Sequence, residues 1–432
     1  MKSICTFVLN VVDKMVSPGS KGWINKYFDL IEKEHFSLKL ECPSDMELDH
    51  FLHLTFTHSG IVFGYPTELI FATDLDDSKW TTEEKLKLLL FESHLFVYKT
   101  INKLEKVNKD EFIFSMLAFY GKHNSYSITK IFTFFLKETE DEMLENILQK
   151  RVAIKTNLLD KQLWLNYLTN VFVYLDIILY SDFLKQNQVD SFSNYSDLAM
   201  DALTAISLSA FSSGNIEVQE KGLFKIFLAS ASLPEDKKEI AMSQFRDGTF
   251  FSDFSSNIYK NWLFKRFLLD VSALTVLSNQ KVISAEKIFL LELCEFLEIP
   301  RNELEETRVM VGTFVLNNNK QVSFLKSSSS YEKMFSSLSR RWIKVLGRNK
   351  DKLATELKQS KELIYLIKKS TAQELSKEEK ELVKSQFLDI VKSMPSLAIF
   401  MLPGGALLLP LVLKIIPDLI PSAFRENEID KE

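Results

Sequence analysis

Apolar residues recur at spacings of three and four along most of the chain, the period of a helix with one buried face. LKLLLFESHLFVYKTINKLEKV (86–107) keeps that spacing, as does KQLWLNYLTNVFVYLDIILYSDFL (161–184), and both predict helices. One stretch departs from it. FLHLTFTHSGIVFGYPTELIF (51–71) alternates apolar and polar positions around Gly60, Gly64 and Pro66, which predicts a hairpin or turn. With 12 glycines and 10 prolines in 432 residues, turns are few, and the pattern predicts an all-α, multi-domain helical protein.

The middle of the chain repeats itself. Residues 202–234 align without gaps to residues 268–300 at an offset of 66, pairing Leu208 with Leu274, Ile216 with Val282, Glu220 with Glu286 and Pro234 with Pro300. Each copy reads as helix, short polar turn, helix and terminating proline, so the two should superpose as helical hairpins that pack a core. The copies also resemble the TerB-like helical module of tellurite resistance, whose pattern is roughly Asp-Gly-x-[Ile/Val]-x-x-x-Glu. Ser213 stands at the aspartate position of the first copy, and Asn279-Gln280 replace Asp-Gly in the second. A hard cation needs carboxylates in such a turn, so the metal role of the module is not carried over.

Composition narrows the chemistry. Cys5, Cys42 and Cys294 lie far apart, which excludes a disulfide scaffold and fits a reducing compartment. The first residues have one lysine ahead of ten uncharged positions and lack a small-residue cleavage site, so no signal peptide is read. The 35 phenylalanines read as a large aromatic core, with lipid-facing helices as the rival. His50, His53 and His58 cluster, but no fourth ligand stands at useful spacing, and in a strand the first two would face opposite sides; no metal is expected there. Phosphate-binding glycine loops, nucleophile elbows, HExxH and CxxC are all absent, so neither catalytic nor cofactor residues are assigned and no enzyme is read.

Charge is uneven. Residues 325–392 hold 16 Lys/Arg against 9 Asp/Glu, a net +7, within a chain whose total is −5. Serine- and asparagine-rich runs at 318–330 suggest a hinge leading into this block. Arg340, Arg341, Lys344 and Arg348 follow near-helical spacing around Trp342, a basic face with an aromatic edge suited to anionic lipid or RNA. A solvated helix whose lysines match nearby glutamates is the plainer alternative.

The block runs into 21 residues without charge, 393–413, flanked by Lys392 and Lys414. At about 1.5 Å per residue this is roughly the thickness of a bilayer core. Pro403, Pro410 and Pro417 recur every seven residues, close to one helical face, so a helix there should bend or break near Pro403 and Pro410. The segment reads as membrane-associated, crossing once or re-entering; a buried hairpin in a soluble domain is the alternative. Arg425–Glu432 carries two positive and four negative charges, so the positive-inside tendency leaves the bulk of the chain cytoplasmic.

The string Pro403, Leu408-Leu409-Pro410, Leu413-Lys414, Pro417, Pro421-Ser422 and Phe424 resembles the signature of the Letm family of membrane proteins. The likeness extends upstream through Glu374-Leu375-Ser376-Lys377-Glu378-Glu379-Lys380, in which Ser376 and Glu379 form a capping box. Together with the TerB-like units, the order resembles the Letm-related biofilm-associated proteins of Bacteroidetes-type bacteria. The resemblance implies membrane association with a role in cation/proton homeostasis or in ribosome binding near a membrane, lipid and ribosome or RNA as partners, and a possible homo-oligomer. It locates ribosome binding beyond Phe424, in a soluble domain. Family members often carry a glutamate after the first proline, where this chain has Ala406. The expected organisation is 1–190 N-terminal helical domain, 191–318 two TerB-like units, 319–350 basic linker, 351–424 Letm-like region and 425–432 acidic tail. A soluble helical scaffold is the alternative function, and a proton-coupled exchanger a third.

Overall fold

The computed structural model describes residues 16–43, 46–121, 138–153, 170–186, 194–212, 214, 216, 218–255, 261–278, 284–318, part of 333–391, and Ile416. Every regular element among these is helical, and no strand occurs. The chain divides into two compact units, Met1–Glu41 with Ser59–Leu293 and Cys42–His58 with Cys294–Glu432.

In the first unit, α1 (Trp23–Glu32) and α3 (Thr82–Ile101) pack with α4 (Lys109–Gly121), α5 (Glu140–Val152) and α6 (Val173–Gln186). Phe91 of α3 is the hub of an aromatic core, with edge-on contacts to Trp23, Tyr27 and Phe112 at ring-centroid distances of 5.1, 5.3 and 5.5 Å. Phe91 and Phe112 are fully buried, as the core reading of the phenylalanines expects. Helix α3 begins with a capping box between Thr81 and Glu84. It stops at Ile101, six residues short of the predicted end. There the Asn102 side chain donates to the Tyr98 carbonyl at 2.8 Å, and Lys103 turns into the left-handed region at φ 52°. Helix α6 starts at Val173 after a turn at Val171 and Phe172, and residues 161–169 of the predicted helix lie outside the described residues.

The hairpin expected at 51–71 is replaced by α2 (Leu48–Ser59) and a 3-10 turn at Ile61–Phe63. Alternation misled here because the helix is buried on every side: Phe51, Leu52, His53 and Phe56 are all at most 1% exposed. Its polar positions are satisfied internally, since the hydroxyls of Thr55 and Thr57 donate to the carbonyls four residues back at 2.9 and 2.8 Å. The turn itself falls where expected. Gly60 and Gly64 adopt φ of 84° and 63°, and at Gly64 a Cβ would fall 2.0 Å from the Asn170 carbonyl oxygen, so only glycine fits.

The repeat is visible in the helix boundaries. The first copy consists of α7 (Tyr195–Phe211), α8 (Val218–Ser230) and α9 (Glu235–Asp247). The second consists of α10 (Trp262–Ser278), α11 (Ser284–Phe296) and α12 (Arg301–Asn317). Helices α8 and α11 match at both ends at the same 66-residue offset, and α9 and α12 match at their starts. Ser232 and Glu298, equivalent positions, are both left-handed at φ 49° and 57°. Pro234 and Pro300 then both cap the third helix at φ −57°. The equivalent carboxylates Glu220 and Glu286 are both buried. Within the first unit, α7 packs on α8, α9 and α10.

In the second unit, α13 (Lys350–Gln359), α14 (Lys361–Ala372) and α15 (Lys377–Val391) pack mutually. Their core is Leu353, Leu357, Leu363, Ile367, Val383 and Phe387, each fully buried.

Candidate functional site

Polar side chains at the starts of α14 and α15 tie the C-terminal helices together. Ser360 caps α14, accepting from the Leu363 N–H at 3.4 Å, while its hydroxyl donates to Gln386 of α15 at 2.9 Å. Gln386 donates in turn to Glu362 at 2.7 Å. The capping box read from the sequence is formed: the Ser376 N–H donates to Glu379 at 3.0 Å, and the Glu379 N–H to Ser376 Oγ at 3.2 Å. Glu379 also pairs with Lys369 of α14, whose ammonium draws that carboxyl below its usual pKa. Two of the lysines in the block are thus distinguished: Lys369 is committed to Glu379, whereas Lys361 lies exposed. Tyr365, also exposed, lies one turn from Lys361 on the same helix.

Upstream, Arg340 and Arg341 are both helical. Arg340 is exposed, while Arg341 Nη1 lies 3.3 Å from Glu305 Oε2 on α12. Glu305 takes a second cation on its other oxygen, Arg308 Nη1 at 3.5 Å. Glu305, Arg308 and Gly312 follow i, i+3, i+7 spacing on α12, and Leu338 and Arg341 follow i, i+3 spacing. The two faces meet closely, since a Cβ on Gly312 would lie 3.2 Å from Leu338 Cδ1. Burial, and then the charge of Arg341, push the Arg308 pKa down against the pull of Glu305. Sequence reading missed Arg308 and Glu305, which lie more than 30 residues from Arg341 and belong to the repeat by their spacing. Lys344 and Arg348 lie outside the described residues.

The histidine cluster is helical. His50 and His53 therefore share a face at i, i+3, and the strand argument that separated them does not hold. His50 Nε2 lies 3.7 Å from Glu306 Oε2, and His53 Nε2 lies 3.4 Å from Thr57 Oγ1. Among the described residues no group of three or more His, Cys, Asp or Glu side chains could hold a metal ion.

The first unit holds buried polar clusters of another kind, none signalled by a motif. Arg151 grips Asp176 with two parallel bonds, Nε to Oδ2 at 2.6 Å and Nη2 to Oδ1 at 2.5 Å. Tyr120 donates to the same carboxylate at 3.0 Å, and the Arg151 guanidinium lies 4.8 Å from the Tyr195 ring centroid. His94 is fully buried beside them; its Nδ1 donates to the Leu90 carbonyl at 2.7 Å, and burial pushes its pKa down to about 4. Glu92, also fully buried, accepts from the backbone N–H groups of Ile70, Phe71 and Ala72 at 2.6, 3.1 and 3.0 Å and from the Tyr27 hydroxyl at 2.8 Å. These groups are satisfied by one another and by the backbone around them.

Pro403, Pro410, Lys414, Pro417, Pro421 and Phe424 lie outside the described residues, as does the whole charge-free run; nearby, Ile416 is helical and buried. No described helix is long and apolar enough to cross a membrane. The family model described as LETM1-like, RBD, a ribosome-binding domain, matches residues 375–432. The match begins just ahead of α15 and takes in the proline-studded run. No curated protein and no solved structure matches the chain.

Proposed function

We propose that this chain is a non-enzymatic, membrane-associated protein that binds ribosomes through its C-terminal region. The observation that carries the reading is the ribosome-binding family match over 375–432, which begins at the capped start of α15. The net +7 of residues 325–392 supports it, because a ribosome surface is rich in RNA phosphate and its electrostatic attraction is long-ranged. Membrane association is supported by the 21-residue uncharged run between Lys392 and Lys414. The two repeat copies, TerB-like at Gly214, Ile216 and Glu220 and at Val282 and Glu286, serve in this reading as scaffold. A role in cation or proton transport would need a titratable group in the apolar run, and Ala406 offers none.

The test has two arms. Membranes from cells expressing the full chain are washed in alkaline carbonate, and the chain is expected to stay in the pellet; release into the wash would leave the soluble-scaffold reading. Purified chain is sedimented with ribosomes through a sucrose cushion at stepped salt. Co-pelleting that falls as salt rises, and that is lost when residues 375–432 are removed, is the expected result.

A further inference from the structure

We propose that Arg308 and Arg341 form a phosphate-binding site for one phosphodiester of an RNA backbone, with Glu305 holding the two guanidiniums in place until RNA arrives. This rests on the ribosome-binding reading and adds a contact outside the matched region. Two guanidiniums converge on one carboxylate at 3.5 and 3.3 Å, each through a single nitrogen, so among the described residues two cations share one anion. The molecule shows elsewhere what a completed arginine pair looks like: Arg151 meets Asp176 with two bonds of 2.6 and 2.5 Å, one cation to one anion. Side-chain exposures of 15% for Arg308, 24% for Arg341 and 18% for Glu305 leave the cluster reachable but poorly solvated. Burial, and after it the neighbouring Arg341, push the Arg308 pKa down.

A phosphodiester carries one negative charge, which is the surplus, and its two free oxygens suit the planar donor fork of arginine. A Cβ on Gly312 would lie 3.2 Å from Leu338 Cδ1, so the helix faces that carry Arg308 and Arg341 approach closely. The exposed Arg340 stands beside Arg341, and residues 326–350 around them carry 7 Lys/Arg against 1 Asp/Glu. A line of cations fits a chain of phosphates better than a single headgroup.

The experiment uses the full chain with a fluorescent single-stranded oligouridylate, titrated at several salt concentrations, and with vesicles of phosphatidylglycerol in phosphatidylcholine. Arg308→Gln should weaken oligouridylate binding by about threefold or more and make the log–log salt slope shallower by about 0.7, the loss of one phosphate contact. Glu305→Gln should act in the opposite direction and tighten binding, because it removes the competing anion. Circular dichroism melts check that both variants fold. Unchanged RNA binding in folded Arg308→Gln overturns the proposal, as does weakened binding in folded Glu305→Gln. A loss confined to vesicle binding overturns it in favour of a lipid headgroup. If removing 375–432 abolishes ribosome co-pelleting while Arg308→Gln alters neither RNA nor ribosome binding, the ribosome-binding reading stands and this site falls.

Discussion

Arg151 and Arg308 are both at least partly buried, and both sit beside a carboxylate, yet they belong to different kinds of structure. Arg151 and Asp176 match one to one with two short bonds, and Tyr120 donates to the same acid. Arg308 shares Glu305 with Arg341, each through one long contact. A closed pair exchanges water for protein bonds and leaves nothing for a ligand to do. An open one keeps unmatched donors and unmatched charge at a place the solvent reaches.

The sharpest way to break the contrast is to remove the acid from each cluster. Asp176→Ala leaves Arg151 as a buried charge without its carboxylate, and should cost about 3–5 kcal/mol in urea unfolding. Glu305→Gln relieves nothing that is fully buried, and should shift stability by at most about 1 kcal/mol. Equal costs would erase the distinction between the two clusters.

Acidification probes the closed cluster without mutation. The folded pKa of His94 is about 4, below its ordinary 6.5, because burial disfavours the cation beside the Leu90 carbonyl, Tyr120, Arg151 and Asp176. The unfolded chain takes up the proton first as pH falls. The contribution of His94 to stability is therefore complete above about pH 6.5 and is lost progressively towards pH 4, by about 3 kcal/mol in all. Unfolding measured across that window should be steeper in the parent than in His94→Gln, and parallel curves would refute it.

A third test concerns Glu92, the other closed acid, which gathers three backbone N–H groups and one hydroxyl. Burial raises its pKa while those donors lower it. Glu92→Gln keeps the shape but turns one oxygen into a donor facing donors, so a loss of about 1–3 kcal/mol is expected. A neutral outcome in thermal melts would show that the 70–72 loop is held by packing alone. The smallest effect is expected at Gly312, where the helix faces that carry the open cluster meet. Gly312→Ala gains helix propensity of about 1 kcal/mol but presses on Leu338 Cδ1, and should come out near neutral in urea unfolding. A large loss would mean that the two helix faces cannot give way.

Much of this architecture was legible in the sequence, and the failures have physical causes. Amphipathic spacing located the interiors of α3 and α6 but not the end of α3, which is set by Asn102 and Lys103. Alternation at 51–71 imitated a strand because a helix buried all round has no polar face to reveal its period. The repeat was read from a few matched residues, yet it extends to a third helix and to left-handed Ser232 and Glu298, positions whose side chains share no chemistry. The Ser376–Glu379 box was visible because capping is local. Arg151–Asp176 and Arg308–Glu305–Arg341 differ in this respect. Each joins residues brought together by packing, and no spacing announces Asp176 or Arg341 as a partner.

The central claim is that residues 375–432 bring ribosomes to a membrane, and recruitment measures it most directly. Carbonate-washed membranes carrying the full chain, and membranes carrying a chain that ends at Glu374 with an unrelated transmembrane anchor, are incubated with purified ribosomes and floated through a density gradient. Ribosomes rising with the full chain at low salt, and left behind both at high salt and with the anchored truncation, are the predicted result. Equal recovery of ribosomes on both membranes would contradict the account.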